Sequence, residues 1–154
     1  MIERSNFQEN LKNFYLIGLL ALVLFIGFYK LTESPQVWSD EGVYFQIASN
    51  FANSFHWGLQ VAPGQFVSAA QISAGYPVLL PIGIVFKIFG VSLFAGRAVM
   101  VVFMVGLILA AYYLVRKLYG DKIAVASSLL LATFPVFYGN GKNILGEIPG
   151  LFYL

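Results

Sequence analysis

"VSLFAGRAVMVVFMVGLILAAYYLVRKLYGDK", residues 91–122, decides what kind of protein this is. No charged residue stands between Arg97 and Arg116, and the intervening stretch is almost wholly aliphatic and aromatic. A membrane span needs roughly 20 such residues, so Val91–Leu114 is long enough to cross a bilayer. Composition agrees: 59% of the chain is hydrophobic and 10% charged, against about 45–50% and 25% in soluble domains. A mean hydropathy of +0.79 places the chain among membrane proteins. There is no cysteine, which excludes a disulfide framework and thiolate metal sites. The net charge of +2 comes from scattered basic residues and excludes a nucleic-acid surface.

Working outward, three more apolar segments and the start of a fourth precede or follow this one. A span at about 14–30 follows Arg4 and Lys12, which marks an uncleaved signal-anchor with its N-terminus in the cytoplasm. A cleaved signal peptide would need a small-x-small site after the apolar run, and none follows. A third span is expected at about 122–139, and a fresh apolar run begins at 148. The chain stops a few residues into that run, so it is expected to be the N-terminal piece of a longer protein. The segment 77–89 is only about a dozen residues long and carries Lys87 near its end.

Charge sidedness arranges these segments. No lysine or arginine occurs from Leu31 to Phe86, as expected of an extracytoplasmic loop over residues 31–90, whereas Arg116, Lys117 and Lys122 crowd one short connector. Basic connectors stay inside. If residues 77–89 crossed the bilayer, that connector would fall outside; if they lie in the interface, it falls inside. The interfacial alternative is expected. Glu147 then emerges on the same extracytoplasmic face as Asp40 and Glu41, with Arg97 near the outer end of its helix.

"SDEGVYFQIASNF", residues 39–51, carries the acids. Ser39 is placed as an N-cap hydroxyl, and Asp40 and Glu41 face the positive end of a helix dipole. Tyr44, Ile47, Ala48, Phe51 and Phe55 recur at helical spacing, which predicts a second interfacial helix over about 40–54. The acids have a bland reading as helix caps. An arginine inside a span is costly without a partner, and its planar fork suits a phosphate or a carboxylate equally. His56 beside Trp57 and the end-of-helix Lys87 are placed as interfacial anchors. No Gly-rich phosphate loop, His-Glu-x-x-His motif or nucleophile elbow is present.

Taken in order, these features resemble the GT-C membrane glycosyltransferases, specifically the dolichyl-phosphate-mannose–protein mannosyltransferases and the lipid A aminoarabinose transferase. The family's acid pair after the first span is matched by Asp40 and Glu41, its following tyrosine by Tyr44 and its tryptophan by Trp57. Its Pro-containing amphipathic segment is matched by "GYPVLLPIGIVFKIFG", its arginine at the head of the second span by Arg97, its basic connector by "VRKLYGDK" and its later acid by Glu147. Two departures stand out. "SAGYP" lacks the basic residue, the acid and the second proline that the family commonly shows there, and Glu147 stands where many relatives carry Asp.

The resemblance implies an all-α polytopic membrane protein with interfacial juxtamembrane helices in its first outer loop. It implies a glycosyltransferase that moves a sugar from a polyprenyl-phosphate-linked donor to a protein or lipid hydroxyl on the extracytoplasmic face. The membrane would be the cell membrane of a prokaryote or the endoplasmic reticulum of a eukaryote. Asp40, Glu41 and Glu147 are the implied catalytic acids, Arg97 the donor-phosphate ligand, and Tyr44 and Tyr76 substrate contacts. Asp40 and Glu147 also form a carboxylate pair for a divalent cation, the one cofactor considered. Membrane lipids are the remaining partners. Two other classes stay open: a polytopic transporter, whose sites sit near the bilayer midplane rather than at helix ends, and a non-catalytic membrane assembly protein.

Overall fold

A computed structural model describes residues 2–71 and 75–154, with side chains from residue 14 onward within those ranges. Arg4 and Lys12, expected to set the N-terminus inside, therefore lie outside the described side chains, as does Ser73 of the "SAGYP" motif. The chain is mostly helical. Helix α1 spans Ile2–Phe28, α2 Ser39–Ser54, α3 Tyr76–Phe89, α4 Leu93–Tyr119, α5 Asp121–Ala132, α6 Pro135–Asn140 and α7 Glu147–Tyr153. Among the described residues α4 alone is both long and apolar enough to cross a membrane; the apolar parts of α1 and α3 are shorter.

Local chemistry sets the ends of α4. The Ser92 hydroxyl accepts the Ala95 N–H at 3.1 Å, capping the first turn. At the other end Arg116 and Lys117 occupy the last turn, against the negative pole of the dipole, and Gly120 stops the helix at φ +86°. Arg116 then pairs with Asp121 at 2.7 Å, so the basic connector is a tight corner between α4 and α5. Helix α4 packs on α1, α3, α5 and α7. The core runs along its inner face, where Met100, Met104 and Ile108 are fully buried against side chains of α1, α2 and α3.

Helix α2 packs its apolar stripe on α3. Tyr44, Ile47 and Ala48 are buried, and Gly83 of α3 lets Phe51 approach so closely that a Cβ there would lie 2.5 Å from its ring. Ser39 is not the cap expected of it. The helix begins at Ser39 itself, Trp38 occupies the cap position, and no side chain caps the end. The dipole is met instead by Asp40 and Glu41 in the first turn. The helix ends at Phe55, in the left-handed region at φ 56°. Lys87 of α3 donates to the Ala52 carbonyl at 3.3 Å and lies 3.8 Å from the Phe55 ring centroid. That lysine thus supports the C-terminal end of α2 by charge and by cation–π attraction.

A hairpin corrects the all-α expectation, and a second feature interrupts the helix over 122–139. Residues Gly58–Ala62 (β1) and Gln65–Ser68 (β2) form an antiparallel hairpin pairing Leu59 with Val67 and Gln60 with Phe66, with an irregularity between Gln60 and Ala62. Pro63 and Gly64 supply its turn, Gly64 at φ +75°. The hairpin is tied to α2 by Asn50 Nδ2 donating to the Gly58 carbonyl at 2.8 Å, and Trp57 stacks on Phe51 with ring centroids 4.2 Å apart. Second, the span expected at 122–139 is broken between α5 and α6. Pro135 has no N–H and disfavours helix in the residue before it, and Phe134 is accordingly extended. Helix α5 has 12 residues, about 18 Å at 1.5 Å per residue.

Proline also shapes the join of α3 to α7. Pro81 inside α3 cannot donate to the Pro77 carbonyl one turn back, and that carbonyl accepts the Tyr153 hydroxyl at 3.2 Å.

Candidate active site

Glu41 and Arg97 form the centre of the site. Both side chains are 0% exposed. Arg97 Nε donates to Glu41 Oε1 at 2.8 Å and Arg97 Nη2 to Oε2 at 2.7 Å, a bidentate charge-assisted pair. Arg97 Nη1 donates to the carbonyls of Leu31 and Pro35 at 2.8 and 2.9 Å, just beyond α1. Glu41 Oε1 also accepts the backbone N–H of Ile144 at 3.1 Å. One carboxylate and one guanidinium therefore fasten four separate segments: the stretch after α1, the head of α2, the first turns of α4 and the loop before α7. A small residue makes the approach of that loop to α4 feasible. A Cβ at Gly96 would lie 2.5 Å from Ile144 Cδ1 and 3.1 Å from Phe86 Cζ.

The same loop brings a second cation. Lys142, 5% exposed, donates from Nζ to the Tyr29 carbonyl at 3.0 Å. Burial, and then the neighbouring Arg97 charge, hold its pKa below the ordinary 10.5. The Tyr29 and Leu31 carbonyls lie within three residues past α1, so Lys142 and Arg97 together satisfy backbone acceptors in the turn that leaves the helix.

The implied site residues divide into buried and exposed sets. Glu41 is spent on Arg97 and on Ile144 inside the protein. Arg97 was expected to hold a donor phosphate, but its fork is filled by Glu41, and a phosphate reaching it would have to displace that carboxylate. Tyr44 is buried in the core. Asp40 is exposed at the head of α2, 3.4 Å from the Ser39 hydroxyl that donates to it. Glu147 is exposed at the head of α7, three residues after Ile144. Tyr76 is half exposed, edge-on to Trp57 with centroids 5.2 Å apart. His56, an expected anchor, lies against Phe66 at 4.0 Å between centroids.

Glu147 borders a cavity of about 210 Å³ lined chiefly by Met100, Leu131, Phe137, Asn143 and Ile148. The Asn143 amide is buried, and among the described residues neither of its polar atoms has a hydrogen-bond partner. No group of three or more His, Cys, Asp or Glu side chains comes together among the described residues. A divalent cation held by Asp40 and Glu147 would thus have two protein ligands, a set compatible with an ion that completes its shell from water and substrate phosphate. Lys142 belongs to none of the motifs that mark the other site residues. The one available signal was a lone cation inside "GNGKNILGE", just ahead of the acid.

A mostly helical chain with one membrane-length helix, its helix ends knotted by a buried ion pair, defines a broad class. Sequence comparison adds a resemblance: residues 78–152 match the dolichyl-phosphate-mannose-protein mannosyltransferase family. The matched stretch is just under half of the chain and runs from α3 into α7, taking in Arg97, Lys142 and Glu147 but not Asp40 or Glu41. The resemblance to that family is thereby shown, and the chain carries a GT-C-like segment of mannosyltransferase type. The activity of the family is glycosyl transfer, and the family is membrane-integral. No curated protein and no solved structure matches the chain.

Proposed function

We propose that this chain supplies one side of the active site of a polytopic membrane glycosyltransferase. It moves a sugar from a polyprenyl-phosphate-linked donor to a protein or lipid hydroxyl on the extracytoplasmic face. Asp40 is the base that takes the proton of the acceptor hydroxyl, and Glu147 completes the site from the head of α7. Glu41 and Arg97 are positioning residues that hold these two helix heads. Tyr76 contacts substrate from the start of α3. A divalent cation bound by Asp40 and Glu147 would neutralise charge on the departing phosphate.

One observation carries this reading: two solvent-exposed carboxylates are rooted in a single buried junction. Asp40 is the chain neighbour of Glu41, and Glu147 follows the backbone N–H that Glu41 accepts. A base must be held in place while its own oxygens remain open to substrate, and that is the division of labour between Asp40 and Glu41. Exposed apolar side chains such as Phe25, Val102 and Leu130 support the membrane setting. A transporter site near the bilayer midplane finds no counterpart in acids at helix heads.

The test is Asp40→Asn in the membrane-embedded protein at wild-type expression. Asparagine keeps the size and gives up only the attraction to the helix dipole, about 0.3–1 kcal/mol, but it cannot accept a proton. Transfer should fall about 100- to 10,000-fold. Near-normal transfer would leave Asp40 as a residue that favours the helix start and nothing more.

A further inference from the structure

The buried junction carries more positive than negative charge. Arg97 and Lys142 bring two positive charges and Glu41 one negative. The C-terminal end of α1 adds about half a negative charge. Among the described residues no carboxylate lies within ion-pair range of Lys142. Of its three N–H donors one reaches the Tyr29 carbonyl, and the other two have no acceptor among the described residues. Tyr29 itself is 58% exposed, so this corner of the junction borders the outside of the chain while Arg97 is sealed behind it. A cation kept out of water with unused donors is costly unless an anion arrives to meet it.

We propose that Lys142 is the residue that receives the phosphate group of the anionic lipid-linked donor, the phosphate oxygens taking its two unused N–H donors. This rests on the glycosyl-transfer reading above. Lys142 and Arg97 then have separate duties. The filled guanidinium fork fixes the scaffold, while the ammonium is a compact charge that keeps its backbone carbonyl and offers its remaining donors to ligand. The position suits the task, since Lys142 lies five residues before Glu147 on the same loop and shares the junction that roots Asp40.

The rival account is that Lys142 only caps α1. The experiment uses the protein in phosphatidylcholine nanodiscs. It is titrated with polyprenyl phosphate, with the polyprenol of equal length, with phosphatidylglycerol and with inorganic phosphate. Lys142→Met should weaken polyprenyl-phosphate binding about 10- to 100-fold and raise the donor KM in step, because a charge-assisted contact is lost. Polyprenol binding should not change, and Lys142→Arg should retain most of the affinity. Lower thermal stability with unchanged affinity and KM would establish the cap and overturn the proposal. Equal weakening toward phosphatidylglycerol or inorganic phosphate would overturn the assignment to the donor. If Lys142→Met does not fold, the structure of the wild-type protein with polyprenyl phosphate decides: phosphate oxygen at hydrogen-bond distance from Nζ supports the proposal, and phosphate held elsewhere sinks it. Phosphate binding through Lys142 without any sugar transfer would remove the transfer reading alone, whereas transfer with Lys142-independent binding would remove this inference alone.

Discussion

Glu41→Gln places the greatest demand on the buried junction while changing almost no volume. The wild-type carboxylate accepts three hydrogen bonds, two from Arg97 and one from the Ile144 N–H. A glutamine oxygen can take over at Oε1, serving Arg97 Nε and Ile144. Its amide nitrogen then faces Arg97 Nη2 at the position of the present 2.7 Å contact, donor against donor. Arg97 keeps its bonds to Leu31 and Pro35 but becomes a buried cation without a counter-charge. Breaking a buried pair from one side costs about 3–5 kcal/mol. The surviving oxygen and the two carbonyls place Glu41→Gln near the lower end, at about 3 kcal/mol. Glu41→Ala also orphans the Ile144 N–H, which adds about 1–3 kcal/mol. Denaturant titration in detergent, followed by tryptophan fluorescence, gives these values, and Arg97→Met closes the double-mutant cycle. The paired variant should be far less damaged than the sum of the two singles, since it buries no lone charge. A Glu41→Gln loss below about 1 kcal/mol, or strict additivity in the cycle, would refute the role given to this pair.

Gly96→Ala should destabilise by about 1–3 kcal/mol through overpacking against Ile144, and Ile144→Val, which removes the colliding Cδ1, should recover most of the loss in the same unfolding assay. Lys142 makes stability depend on pH. Its folded pKa is lowered, so between that value and 10.5 the unfolded chain binds more protons and stability rises with pH. Unfolding measured across the alkaline range should show a positive slope in wild type that shrinks in Lys142→Met, and equal slopes would contradict it.

Much of the architecture was legible from spacing and composition. An uninterrupted apolar run before Arg116 makes α4 whatever surrounds it, because a span needs only length and apolar side chains. The stripe Tyr44, Ile47, Ala48 foretold α2 by periodicity, and the resemblance of ordered motifs pointed to the family that residues 78–152 match. The hairpin at 58–68 escaped notice although Pro63 and Gly64 signalled its turn, since its strands are short and not strictly alternating in polarity. The break at Phe134 was signalled too, by Pro135, inside a stretch whose hydropathy favoured one span.

Where the site was concerned, the sequence by itself marked Asp40, Glu41, Arg97 and Glu147 as residues that so apolar a chain must account for. Which of them stay exposed and which face one another was decided by tertiary structure. Arginine's fork fits a phosphate or a carboxylate alike, and the choice depended on α2 bringing Glu41 to a residue 56 positions away. Lys142 gained its meaning only when the loop before α7 folded back onto Tyr29, 113 positions earlier. Charge in a buried place takes its energy from what lies within a few ångströms. Chain folding sets that neighbourhood, and local sequence does not contain it.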